Sequence, residues 1–167
     1  GATGFVGKHI LRKLSDHGHS LRLVIREGTE GGIASLINGH EVVTSEDIFS
    51  ESVDWWTKQC NGVDVVIHLA WYAKPGEYLQ SSKNLDCLIG SLNLAKGAIK
   101  SNVKKFVGIG TCFEYDMSKD RLSIDANLKP LTVYASTKTA LYIGLSKLLP
   151  TSSIDFVWCR LFYLYGE

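Results

Sequence analysis

The sequence predicts an α/β fold, a doubly wound parallel sheet with helices on both faces. Three observations carry that prediction. β-rich runs alternate with helical repeats along the chain. One run, Val63 to Ala70, is apolar apart from Asp64 and His68, as in a strand buried on both faces of a parallel sheet. Three glycines, Gly1, Gly4 and Gly7, stand immediately before an amphipathic segment.

The elements follow in order. Val6, Ile10, Leu11 and Leu14 recur at helical spacing, predicting a helix from Phe5 to His17 that stops at Gly18. His17 and His19 flank that stop and read as turn residues. Leu21 to Ile25 is a strand, Gly31 to Asn38 a weak helical stretch, and Glu41 to Thr44 a short strand. Val53 to Gln59 reads as a helix with Trp55 and Trp56 partly buried. Ser82 to Ser101 is helical, with Leu85, Leu88, Leu92 and Ile99 near one stripe. Phe106 to Ile109 is a strand, Val133 to Leu149 a helix that Pro150 ends, and Ile154 to Leu161 a last strand. No repeat, low-complexity tract or linker interrupts the pattern, so residues 1–167 read as one domain.

Composition narrows the function. The formal net charge of +1 argues against a nucleic-acid partner, which usually leaves a basic excess. No apolar run approaches the roughly 18 residues of a membrane span. Cys60, Cys87, Cys112 and Cys159 form no C-x-x-C pair and the histidines lack ligand spacing, so no metal is expected. Reduced, buried thiols fit a reducing cytoplasm.

The spacing of Gly1-Ala2-Thr3-Gly4-Phe5-Val6-Gly7 is G-x-x-G-x-x-G. Such a turn lets the backbone approach a pyrophosphate, and its last glycine lets the helix pack on the sheet. The phosphate then meets free N–H groups at the positive end of the helix dipole. Roughly 20 residues on, where an acidic residue would bind an adenosine ribose, stands Arg26 followed by Glu27. An arginine pairs with a 2′-phosphate, which favours NADP, while Glu27 keeps NAD open.

Y-x-x-x-K occurs twice, at Tyr115/Lys119 and Tyr134/Lys138, so the spacing alone decides nothing. Tyr134 begins a predicted helix, where residues four apart share a face. Tyr115 to Lys119 lies in a polar stretch that reads as a loop. The chemistry favours such a pair. A phenol has a pKa near 10, and a neighbouring ammonium or an oxidised nicotinamide favours phenolate. Thr111 follows the strand Phe106 to Ile109, where a hydroxyl could orient the reacting oxygen.

Together, Gly1 to Gly7, Val66-Ile67-His68-Leu69-Ala70, Thr111, Tyr134-x-x-Thr137-Lys138 and Arg160 through Tyr165-Gly166 resemble the extended short-chain dehydrogenase/reductases, the NAD(P)-dependent epimerase/dehydratase group. The resemblance covers essentially the whole chain and implies a Rossmann-like fold. It implies Tyr134 as general acid/base, Lys138 as the residue that binds the nicotinamide ribose and lowers the tyrosine pKa, and Thr111 as a hydrogen-bonding partner of the sugar oxygen. It further implies a cofactor site of Gly1, Gly4, Phe5, Val6, Gly7, Arg26, Asp47, Ile48, Leu69, Ala70 and Lys138. The implied substrate is a nucleotide sugar and the implied assembly a homodimer.

Departures refine this. The family's asparagine three residues before a Gly-Thr is replaced, ahead of Gly90-Ser91, by Cys87; the nearest asparagine is Asn84. Cys112-Phe113 stand where sugar 4,6-dehydratases carry Asp-Glu, which argues against a dehydratase. The run Gly110 to Tyr115 is similar to bacterial sugar-nucleotide reductases of surface-polysaccharide pathways, such as those making CDP-linked dideoxyhexoses. A 4-ketoreductase is therefore expected first, a 4-epimerase second, and a non-catalytic NAD(P)-sensing module as the rival of another class. The family's first strand precedes the glycine turn and its substrate domain follows Tyr-Gly, so the 167 residues are expected to lack both and, taken alone, to be inactive.

Overall fold

The computed structural model describes Gly1 to Gly166. The chain divides into two compact units, one of Gly1–Ser50 with Leu69–Trp71, the other of Glu51–His68 with Tyr72 onward.

The first unit holds α1 (Phe5–Asp16), β1 (Arg22–Arg26) and β2 (Glu41–Ser45). Helix α1 stops as its sequence predicts. Gly18 takes φ +74°, the left-handed conformation that glycine adopts without a Cβ penalty. Its N–H bonds the Ser15 carbonyl and the His19 N–H bonds the Leu14 carbonyl, so two orphan carbonyls are satisfied. Strands β1 and β2 pair in parallel from Arg22↔Glu41 to Arg26↔Ser45. Alternate side chains of β1, Leu23 and Ile25, join Leu11 and Ile33 in a small core. The weak helical stretch is a 3-10 segment, Glu30–Leu36, interrupted where Ile33 leaves helical geometry and is buried.

The second unit holds α2 (Val53–Cys60), β3 (Val65–His68), α3 (Lys83–Lys100), β4 (Lys105–Thr111), α4 (Val133–Thr151) and β5 (Asp155–Leu161). Its sheet has the order β3-β4-β5, all parallel. The Ser52 hydroxyl caps α2 by accepting the Trp55 N–H. Helices α2 and α3 meet where Gly97 lies against Trp56; a Cβ there would fall 2.6 Å from the Trp56 Cβ.

Four details differ from the sequence reading. Strand β3 is not buried on both faces: Val65 is 45% exposed, and among the described residues β3 pairs only with β4. The buried stripe of α3 is not Leu85, Leu88, Leu92 and Ile99 but Asn84, Cys87, Ser91, Leu94, Ala95 and Ala98, with Gly90 and Gly97. Small residues win that face because they allow closer approach; Leu85 is left 51% exposed. Thr111 is the last residue of β4 rather than a residue after it. Helix α4 runs one residue past Pro150, because a proline near the C-terminal end removes only one helical N–H.

Among the described residues no helix is long and apolar enough to cross a membrane.

Candidate active site

In the first unit, Gly4 is the N-cap of α1, in extended conformation. No side chain caps the first turn and no acidic residue stands in it. Phe5 and Val6 therefore present N–H groups at a helix end with a positive partial charge. The three glycines are not equivalent. A Cβ at Gly7 would collide with the Gly1 carbonyl oxygen and the Ala2 backbone, so Gly7 lets the helix close on its own turn. A Cβ at Gly1 would fall 2.5 Å from the Leu69 carbonyl carbon and 2.7 Å from the Ala70 nitrogen. This contact brings together two parts of the sequence-predicted cofactor set. A Cβ at Gly4 would meet only the Gly1 oxygen at 3.4 Å, so nothing in the chain itself requires glycine there.

Arg26 is exposed at the end of β1, beside Ser45 at the end of β2. Asp47 and Ile48 follow β2 directly. The Asp47 carboxylate accepts the Phe49 N–H at 3.0 Å, and the Phe49 ring stands edge-on to Trp71, just after Leu69-Ala70. The first unit thus gathers every predicted cofactor residue except Lys138, which belongs to the second.

In the second unit, the Thr132 hydroxyl caps α4 by accepting the Ala135 N–H at 3.1 Å, which places Tyr134 in the first turn. Lys138 lies one turn on, its Nζ 6.0 Å from the Tyr134 ring centroid. That Nζ donates to the Ile109 carbonyl of β4 at 2.6 Å. Thr111, two residues further along β4, lies beside the Tyr134 phenol and acts to lower its pKa. The three predicted acid/base residues therefore converge at the carboxyl end of β4. The decoy pair separates: Tyr115 is buried and bonded by Arg160, while Lys119 is exposed.

Burial dominates the electrostatics. It pushes the Tyr134 phenol up to about 12, against the effect of Thr111, which lowers it. It pushes the Lys138 ammonium down to about 7, against the charge of Glu114, which raises it. His68, buried at the end of β3, is held neutral: burial first, then the Lys138 charge, takes it down to about 3. Its Nε2 meets the Ser91 hydroxyl at 2.7 Å, and that hydroxyl donates to the Cys87 carbonyl.

The structure gives two side chains roles that the sequence does not show. Asn84 is fully buried and its amide donates to the Tyr78 and Ser81 carbonyls, fixing a turn that sets Tyr78 edge-on to Tyr134 at 4.9 Å. Glu114 is fully buried, paired with Arg160 at 2.7 Å. Its carboxylate also accepts the Thr111 N–H and the Trp158 indole N–H. Nothing local to Glu114 signals a partner 46 residues on. A further groove of about 540 Å³, lined by Leu85, Leu88, Pro130 and Val133 among others, includes none of the three acid/base residues.

Residues 1–167 match the profile of the NAD dependent epimerase/dehydratase family. The chain belongs to that family. A curated relative, dTDP-6-deoxy-L-talose 4-dehydrogenase (NAD(+)) of Aggregatibacter actinomycetemcomitans, is 21% identical over all of this chain, which spans 60% of the relative's length. Among solved structures, the UDP-Glc/GlcNAc 4-epimerase of Campylobacter jejuni superposes with a TM-score of 0.83 at 18% identity, over 96% of this chain and 51% of that one. The UDP-glucuronic acid 4-epimerase of Bacillus cereus, solved in complex with NAD, gives 0.81 at 24% identity, over 99% and 55%. These likenesses show a Rossmann-like parallel α/β fold shared with the family, and this chain covers about half of each neighbour.

Proposed function

We propose that the protein is an NAD(P)-dependent oxidoreductase acting at the 4-position of a nucleotide-linked sugar, in the first instance a 4-ketoreductase. The observation that carries this reading is the convergence of Thr111, Tyr134 and Lys138 at the end of β4.

The residues present fit a nicotinamide dinucleotide. An uncapped helix N-terminus without acidic residues suits a pyrophosphate, and Gly4, which the chain does not need for packing, leaves room for one. Leu69, Ala70, Asp47 and Ile48 are proposed to flank the adenosine half, and Lys138 to hold the nicotinamide ribose. Arg26, exposed at the end of β1, favours the 2′-phosphate of NADP; Glu27 and the NAD(+) of the curated relative's name support NAD. When bound, the nicotinamide supplies hydride exchange at the sugar carbon. Tyr134 Oη gives the sugar oxygen its proton in reduction and takes it back in oxidation. Thr111 holds that oxygen against the phenol. Lys138, as an ammonium, stabilises the phenolate left behind. Burial first, with the charges of Tyr78, Glu114 and Cys112, raises the phenol to about 12, so little phenolate forms near neutral pH unless a positive charge beside it favours ionisation.

A 4-epimerase is the second reading, favoured by the names of the structural relatives. The two separate by stoichiometry: the reductase consumes one reduced cofactor per sugar, whereas the epimerase yields an epimer with no net oxidation. The first assay is oxidation of dTDP-6-deoxy-L-talose with NAD+ and NADP+ by the full-length protein. Tyr134→Phe should cost about 10²–10⁴-fold in kcat; activity within a few-fold of wild type would remove Tyr134 from the mechanism and favour a non-catalytic sensing module. The full-length protein is proposed to be a homodimer, a reading supported by the exposed Leu85, Ile89 and Ile143 of α3 and α4 and checked by sedimentation.

A further inference from the structure

The glycines at 108 and 110 have no role in the cofactor turn, yet neither tolerates a side chain. A Cβ at Gly108 would strike the Trp158 ring, and one at Gly110 would strike both the Trp158 indole nitrogen and the Glu114 carboxylate. Strand β4 is thus kept bare where β5 lays the Trp158 indole, and the turn after β4 the Glu114 carboxylate, across it. That carboxylate is fully buried. Oε1 accepts the Thr111 N–H at 2.9 Å and the Trp158 Nε1–H at 3.1 Å. Oε2 accepts the same indole N–H at 3.1 Å and the Arg160 Nε–H at 2.7 Å. Arg160 is in turn sandwiched between the rings of Tyr142, at 4.4 Å, and Tyr115, at 4.9 Å. The Thr111 hydroxyl accepts the Phe113 N–H at 3.3 Å, closing a capping box with Glu114.

We propose that Glu114, clamped by Arg160 and Trp158, is a positioning residue that fixes Thr111 and, through it, the proton-transferring hydroxyl of Tyr134. The proposal rests on the acid/base reading above. A buried charge pair is a poor source of stability, since its desolvation offsets its attraction. What this one supplies is geometry: two carboxylate oxygens satisfy three N–H groups from two strands, and one of the three is the backbone N–H of Thr111, whose hydroxyl the same capping box holds against the Phe113 N–H. Glu114 also acts at a distance. Lys138 faces Glu114, Cys87 and His68, and Tyr134 faces Tyr78, Glu114 and Cys112. The negative charge of Glu114 favours the proton on both Lys138 and Tyr134, in each case behind the effect of burial.

Glu114→Gln tests this. The amide has one acceptor oxygen, so either Thr111 or Arg160 meets an NH2 instead. Oxidation of dTDP-6-deoxy-L-talose should lose about 10–100-fold in kcat, the scale of a sub-ångström to ångström misplacement. KM for the sugar nucleotide and the affinity for NAD+, read by fluorescence, should stay within a few-fold. The pH midpoint of kcat should move to lower pH, because both titrating groups lose a negative neighbour. A merely structural role would lower the melting temperature and leave kcat and its pH midpoint unchanged, and that result overturns the proposal. If Glu114→Gln does not fold, Trp158→Phe decides: it removes the indole N–H together with part of the ring, and it must lower kcat several-fold at constant KM or the proposal fails. A Tyr134→Phe control separates the two failures. Activity kept there sinks the acid/base reading and this proposal with it; activity lost there, beside an unchanged Glu114→Gln, sinks this proposal alone.

Discussion

Lys138→Met should make the protein more stable and nearly inactive. Lys138 is 4% exposed, and burial takes its ammonium from 10.5 down to about 7. That fall of roughly 3.5 pH units, at about 1.36 kcal/mol each, is a penalty of about 5 kcal/mol for carrying the charge into the folded state. The sign follows from proton counting. Between pH 7 and 10.5 the unfolded chain holds the lysine proton and the folded one has released it. Stability therefore rises with pH across that window by about 1.4 kcal/mol per unit, and below pH 7 the whole penalty is present. Methionine removes the penalty and keeps most of the side-chain volume. It leaves the Ile109 carbonyl without the Nζ donor at 2.6 Å, which costs about 1–3 kcal/mol. The net gain at pH 7 is about 2–4 kcal/mol. Urea unfolding at pH 7, 8 and 9 reads both quantities, with the wild-type slope lost in the variant. Loss of the ammonium should also cost about 10²-fold or more in kcat. A variant that is less stable than wild type at pH 7, or that keeps the wild-type slope, would refute the reasoning.

Three further outcomes are expected. His68, taken down to about 3 by burial, must gain a proton on acid unfolding; stability should fall as pH drops from about 6.5 toward 3, and His68→Gln should flatten that fall in urea melts. Gly97→Ala gains up to about 1 kcal/mol of helix propensity but drives a Cβ to 2.6 Å from Trp56, where overpacking costs about 1–3 kcal/mol; the melting temperature should drop, and a rise would mean that α2 yields. Gly7→Ala should lower the melting temperature, whereas Gly4→Ala should leave it unchanged and weaken NAD(P) binding in a fluorescence titration. Equal effects of the two on both measurements would contradict the distinction drawn between them.

Local chemistry made much of this protein legible before any coordinates. Helix α1, its glycine stop, the Thr132-capped α4 and five strands all follow from spacing and turn residues that act within a few positions of themselves. The pair Tyr134/Lys138 is legible for the same reason, since one helical turn joins them, whereas no helix joins Tyr115 and Lys119. What stayed hidden depends on residues far apart in the chain. The buried face of α3 went to small side chains because α2 and its neighbours press close there, which no periodicity of leucines reveals. The Glu114–Arg160–Trp158 clamp joins residues more than 40 positions apart, and only the pairing of β4 with β5 brings them together. Proton affinities belong to the same class. Sequence could name Tyr134 and Lys138 as partners, but burial moved them in opposite directions, and burial is a property of everything packed around them. Composition and short-range spacing decided which elements form and which residues are candidates for the chemistry; the packed structure alone decided how tightly those residues are held and which protons they keep, because desolvation and long-range hydrogen bonds exist only once the chain is folded.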